Sequence, residues 1–160
     1  RNFFRYLKER GLQKVSLIVS DKSIGVLDAI GDFFPGSRWQ RCIVHFYRNV
    51  LNAVPVGKVK HITTMLKAIH AQEDKQAALQ KAEQIVEKLR SLKMEKAARI
   101  IHAGVEETLS FYEFPPNHWR HIRTNNPLER INREIRRRTR VVGSFPDGNS
   151  ALMLVAARLR

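Results

Sequence analysis

A chain of 160 residues suits one domain of ordinary size, or one domain carrying an insertion, and its 43% apolar content excludes wholesale disorder. Against 15 Asp+Glu stand 29 Lys+Arg, a formal charge of +14 and a pI near 10.6, which points to a polyanionic partner: nucleic acid first, an anionic membrane surface second. The competing reading is a merely basic soluble domain. Cys42 is the only cysteine, so an intrachain disulfide is excluded and a reducing interior compartment is expected. No apolar run has transmembrane length and no signal peptide is legible. The first residue is Arg1 rather than Met, and the chain is expected to be cut from a longer protein.

In chain order, Asn2 to Arg10 reads as a short amphipathic helix closed by Gly11, with Phe3, Phe4 and Leu7 on one side. "KVSLIVS" has the pattern of a buried strand and ends at Asp21. A helix through Ile24, Leu27 and Ile30 follows, stopped by Pro35-Gly36, and "RWQRC" reads as a second short strand. Ile43, Phe46, Tyr47, Val50, Leu51 and Val54 then recur at helical spacing as far as Pro55. From Val59 to Phe114 the chain has no proline and almost no strand-like alternation. Three helix faces are expected there: Ile62, Met65, Leu66 and Ile69; Leu79, Ala82, Val86 and Leu89; and Ala98, Ile101, Val105 and Tyr112. The region reads as a helical hairpin or small bundle inserted into an α/β unit, with His61, His70 and His102 exposed on it. "FPPNHWRHIRTNN" is expected to be a loop, Pro127 to about Arg138 a helix, "GSFPDGN" a second loop, and a last apolar helix runs from near Ser150 to the chain end.

Two carboxylates stand out, each with two readings. Asn126, Pro127 and Glu129 match an N-cap, first helical position and N3 glutamate, a capping box worth roughly 1 kcal/mol, and Arg133 lies four residues on. Yet Glu129, Asn132, Arg133 and Arg136 also share one shoulder of the helix beside a buried stripe of Leu128, Ile131 and Ile135. A carboxylate for a divalent cation with guanidiniums for phosphates is the kit of metal-dependent phosphoryl transfer. Asp21 either caps the helix that follows it or marks the carboxyl end of a strand, where α/β folds build ligand sites.

Arg133, Arg136, Arg137, Arg138 and Arg140, with only Glu134 among them, read as a phosphate-contacting face rather than an ordinary solvated one. Trp119, set among His118, Arg120, His121 and Arg123, either stacks on an unpaired base or plugs against the following helix. Cys42 and His45 are spaced i, i+3, but no second ligand pair accompanies them, so they read as packing and hydrogen-bonding residues rather than a structural zinc site.

"LIVSDKSIGVLDAI", "FPGSRWQRCIVHFYRNVL" and "IRTNNPLERINREIRRRTRVVGSFP" resemble the core blocks of the Mutator-type transposases of bacterial insertion sequences, from about residue 2 to the end. That resemblance implies an α/β, mostly helical chain: part of a ribonuclease H-like core with an all-helical insertion. Residues 1–54 would be its first part, 55–117 the insertion, and 118–160 the part bearing the catalytic glutamate. It implies an Asp-Asp-Glu triad holding Mg²⁺ or Mn²⁺ for DNA cleavage and strand transfer, with Asp21 as the second aspartate and Glu129 as the glutamate. Around them, Gly25, Cys42, His45, Thr124 and Asn125 match signature positions, and Arg130 and Asn132, which lie in the glutamate's block, are expected to contact DNA together with Trp119, Arg123 and the arginine face. The first aspartate has no counterpart here, since Glu9 alone among acidic residues precedes Asp21. A catalytic fragment inactive by itself is therefore expected, working on element-end and target DNA as a homo-oligomer when complete, in the bacterial cytoplasm at the nucleoid. The alternative is a non-catalytic DNA-binding fragment or decayed copy; a third reading is a nuclease of the same fold that cuts without joining.

Overall fold

The computed structural model describes residues 1–159. They form two compact units, one from Arg1 to Thr124 and one from Asn125 onward. The chain is mostly helical, with a small parallel sheet.

The first unit opens with α1 (Asn2–Glu9), which ends where Gly11 adopts a φ of 93°, a conformation open to glycine at no steric cost. β1 (Leu17–Ser20), α2 (Ile24–Phe33) and β2 (Arg38–Arg41) follow as a β-α-β unit, the strands parallel and in register from Leu17 against Arg38 to Ser20 against Arg41. Phe4 sets its ring edge-on to Phe34 and Phe33, with centroids 5.5 and 6.3 Å apart. Phe3 was expected on the same face but is 66% exposed, because consecutive helical residues point about 100° apart. β1 was expected to be buried; all four of its residues are half-buried, because its sheet has two strands among the described residues and both are edges.

The core belongs to four helices: α3 (Ile43–Leu51), α4 (Val59–Ile69), α5 (Lys75–Ser91) and α6 (Glu95–Gly104). α5 packs on α4 and α6, and α3 also packs on both, so Phe46, Val50, Ile62, Leu66, Ile85, Leu89 and Ile101 meet in one cluster. Each such side chain contributes roughly 1.5–3 kcal/mol on leaving water. Asp74 caps α5 by accepting the Ala77 N–H at 2.8 Å.

The third expected helix face is interrupted. α6 stops at Gly104, and two short 3₁₀ turns, Glu106–Thr108 and Ser110–Glu113, carry Leu109 and Phe111 into the core. The Thr108 hydroxyl is within hydrogen-bonding distance of the Val105 carbonyl, a local bond that competes with continued α-helix. His70, expected to be exposed, is buried at 5% exposure, whereas His61 and His102 are exposed as expected. The segment expected to be a loop contains α7 (Pro116–Ile122): the Pro115-Pro116 pair starts a helix instead of breaking one, with Pro116 at the first helical position.

The second unit consists of α8 (Asn126–Val142), Gly143 at φ 79°, a short connection and α9 (Gly148–Leu159). α8 extends a turn beyond the expected end. Its apolar stripe was expected to be buried, yet Leu128 is 59% and Ile131 37% exposed; within this unit α9 alone packs on α8, and one helix covers only part of another's circumference. The expectation that the last helix reaches the chain end falls on Arg160, outside the described residues.

Candidate functional site

Asp21 directly follows β1, at the carboxyl end of the parallel pair, and its side chain is exposed. The capping reading does not hold for it, because the residue preceding α2 in N-cap position is Ser23. Asp21 Oδ1 instead accepts the backbone N–H of Lys22 at 2.8 Å. Ser20 braces the turn: its hydroxyl accepts the Trp39 indole N–H at 2.9 Å and donates to the Asp21 carbonyl at 2.9 Å. Across the sheet, the Cys42 N–H donates to the Ser20 carbonyl at 2.8 Å, so the strand ends bearing Asp21 and Cys42 are neighbours. Cys42 is fully buried in the N-cap position of α3; His45 is half-buried one turn on. Gly25 lies in the first turn of α2 with open space where a Cβ would stand, so local packing does not explain a glycine there.

Behind this edge lies a polar network that sequence reasoning missed. Gln40, fully buried in β2, donates through Nε2 to the carbonyls of Arg41 and Thr108, both at 2.8 Å, and accepts the Phe111 N–H at 2.9 Å. Arg41 is buried beside it. Its guanidinium lies 5.2 Å from the Phe46 ring centroid and donates to Glu107 at 3.2 Å. The other Glu107 oxygen accepts from the Lys22 ammonium. Further along, His70 Nδ1 lies 2.8 Å from the Tyr47 hydroxyl and Nε2 lies 2.7 Å from the Thr108 hydroxyl. Burial lowers the His70 pKa to about 4, assisted by the charge of Arg123, and it pushes the Tyr47 hydroxyl upward. The available signal was the run of polar residues in "RWQRC", but their partners lie 66 to 71 residues away.

Trp119 and Arg123, two of the residues expected to meet DNA, have partners within the first unit. The Trp119 indole N–H donates to the Phe114 carbonyl at 2.7 Å, and its ring stands edge-on to Tyr112 and Phe111. The half-buried ring thus packs on the preceding 3₁₀ turn. Arg123 is half-buried with Nη1 3.5 Å from the His70 carbonyl, and its own carbonyl accepts the Ile43 N–H. Thr124 closes this unit and is half-buried.

In the second unit the residue in N-cap position on α8 is Asn125, one earlier than expected, and its carbonyl accepts the Glu129 N–H at 3.1 Å. Glu129 is therefore the fourth helical residue, one past the position a capping box requires. Glu129, Asn132, Arg133, Arg136, Arg137 and Arg140 line one open groove along α8; the first four are the shoulder read from the helical wheel, and Arg137 and Arg140 extend it. Arg130 is exposed in the same helix. Glu134 pairs with Arg137 at 2.7 Å and Arg138 at 3.2 Å, and these bonds hold its carboxyl down at about 2. Among the described residues no group of three or more His, Cys, Asp or Glu side chains is arranged to hold a metal ion.

The family model for the Mutator family of transposases matches residues 1–160. The chain belongs to that family. It is 40% identical over 157 residues to the transposase for insertion sequence element IS1081 of Mycobacterium tuberculosis, a match covering 98% of this chain and 38% of the relative. The transposase for ISRM5 of Rhizobium meliloti is 38% identical, with 98% of this chain and 39% of the relative covered. That for IS256 in transposon Tn4001 of Staphylococcus aureus is 34% identical, with 98% and 40% covered. This Mutator-family chain thus spans about two fifths of the length of these curated relatives. None of its described helices is long and apolar enough to cross a membrane.

Proposed function

We propose that this chain is part of the catalytic core of a DDE-type DNA transposase, with Asp21 and Glu129 as two of its catalytic carboxylates. The observation that carries the reading is the Asp21 side chain: exposed at the carboxyl end of a parallel strand, it does not cap the following helix, in a chain that belongs to a transposase family. In that reading the β-α-β unit is a remnant of a ribonuclease H-like sheet, residues 55–117 are the helical insertion, and the first aspartate lies in sequence outside this chain.

The donor chemistry of these two residues fits Mg²⁺ or Mn²⁺, hard ions that prefer carboxylate oxygen. In this reading a third carboxylate, from sequence outside this chain, completes the donor set. When bound, a pair of such ions supplies charge stabilisation to the attacking and departing oxygens at phosphorus. The chain's own part is to present carboxylate oxygens and to fix the DNA. Arg133, Arg136, Arg137 and Arg140 on the Glu129 groove, with Arg130 and Arg138, neutralise backbone phosphates, and Asn132 offers an amide beside them. Element ends and target DNA are the substrates, the complete protein acts as a homo-oligomer, and the site of action is the bacterial cytoplasm at the nucleoid.

The test is cleavage and joining of element-end DNA by the complete protein with Mn²⁺. Asp21→Asn and Glu129→Gln should each abolish both reactions while leaving DNA affinity largely intact. Full activity in Glu129→Gln would return that residue to a helix-stabilising role and remove it from the site.

A further inference from the structure

Asp21 has a cationic neighbour in sequence, Lys22, whose ammonium is an obvious competitor for the carboxylate. The structure engages that ammonium elsewhere. Glu107, 85 residues away, accepts it through one carboxylate oxygen, while the other accepts from Arg41 Nη1 at 3.2 Å. Arg41 is an anchored partner: its side chain is 9% exposed, its guanidinium sits near the Phe46 ring, and it occupies space left by the absent side chain of Gly104. Lys22 meanwhile gives Asp21 only its backbone N–H.

We propose that Glu107 is a positioning residue for Asp21: by holding the Lys22 ammonium it keeps the adjacent carboxylate available to a divalent cation and fixes the turn after β1. This rests on the reading of Asp21 as a metal-binding carboxylate. Glu107 itself touches neither metal nor DNA in this proposal. It acts through Lys22, by the same logic as the outer partners that orient metal ligands, whose loss typically weakens metal affinity by about 10–100-fold.

The experiment is an Mn²⁺ titration of the isotope-labelled 160-residue chain, reading paramagnetic broadening of the amides of residues 20–23 by NMR. Glu107→Gln should weaken the apparent affinity about tenfold. Adding Lys22→Met to that variant should restore the wild-type affinity, because the released ammonium is gone. Glu107→Asp keeps a carboxylate beside buried Arg41 but is too short to reach both partners; it should show the same loss and the same rescue where the glutamine variant does not fold. A double variant as weak as Glu107→Gln alone would overturn the proposal, since Glu107 would then act through the fold and not through Lys22. Asp21→Asn separates the two readings. If it leaves the broadening intact, Asp21 is not a ligand and both fall; if it removes the broadening, only the Lys22 rescue decides the role of Glu107.

Discussion

The Arg41 guanidinium stands where a side chain at position 104 would begin: a Cβ on Gly104 would lie 2.7 Å from Arg41 Nη1. A flexible arginine could ordinarily swing away, but this one is buried, paired with Glu107 and set near the Phe46 ring. Gly104→Ala should therefore destabilise the chain by about 1–3 kcal/mol, the usual cost of overpacking, although alanine is the better helix former. Urea unfolding gives the measurement. A neutral or stabilising result would show that Arg41 relocates freely.

The folded His70 titrates at about 4, below its ordinary 6.5, because burial disfavours the imidazolium. Between those two values the unfolded chain binds the proton and the folded chain does not, so stability is fully present above about pH 6.5 and falls as the pH drops toward 4. The largest loss is about 3 kcal/mol. Melting temperature against pH, compared between wild type and His70→Gln, isolates this residue from the carboxylates. The wild-type curve should fall more steeply from pH 6.5 to 4.5.

Gln40 supplies both ends of its amide to backbone groups of the segment 108–111. Gln40→Leu leaves those groups buried and unsatisfied and should cost about 3 kcal/mol in denaturant unfolding at unchanged m-value. Gln72, half-buried with one bond to the Ala68 carbonyl, is the control, and Gln72→Leu should cost under about 1 kcal/mol.

Glu134 is ionised throughout the working pH range and partly neutralises Arg137 and Arg138. Glu134→Gln should therefore strengthen binding to non-specific duplex DNA and steepen the slope of log K against log salt by about 1. Arg136→Ala combined with Arg137→Ala should flatten it by about 2. Fluorescence anisotropy across a NaCl series reads both. An unchanged slope in the double variant would take those arginines out of the DNA interface.

The features legible in the sequence are local. The spacing of Ile43, Phe46 and Val50, or of Ala82, Val86 and Leu89, repeats within a few residues, so the helices of the core were legible from it. So were the two strands, the position of Asp21 at a strand end and the shared shoulder of Glu129, Asn132, Arg133 and Arg136, since one helix presents all four. Tertiary structure decided whatever depends on partners far along the chain. It set the strands parallel, buried His70 between Tyr47 and Thr108, packed Trp119 on the turn before it, and joined Lys22 to Arg41 through Glu107. A polar residue at a given spacing carries no record of whether a distant segment will cover it. Its burial is set by which surfaces the folded chain brings together, and the low dielectric found there turns ordinary Gln40, Arg41 and His70 into residues that must be paired.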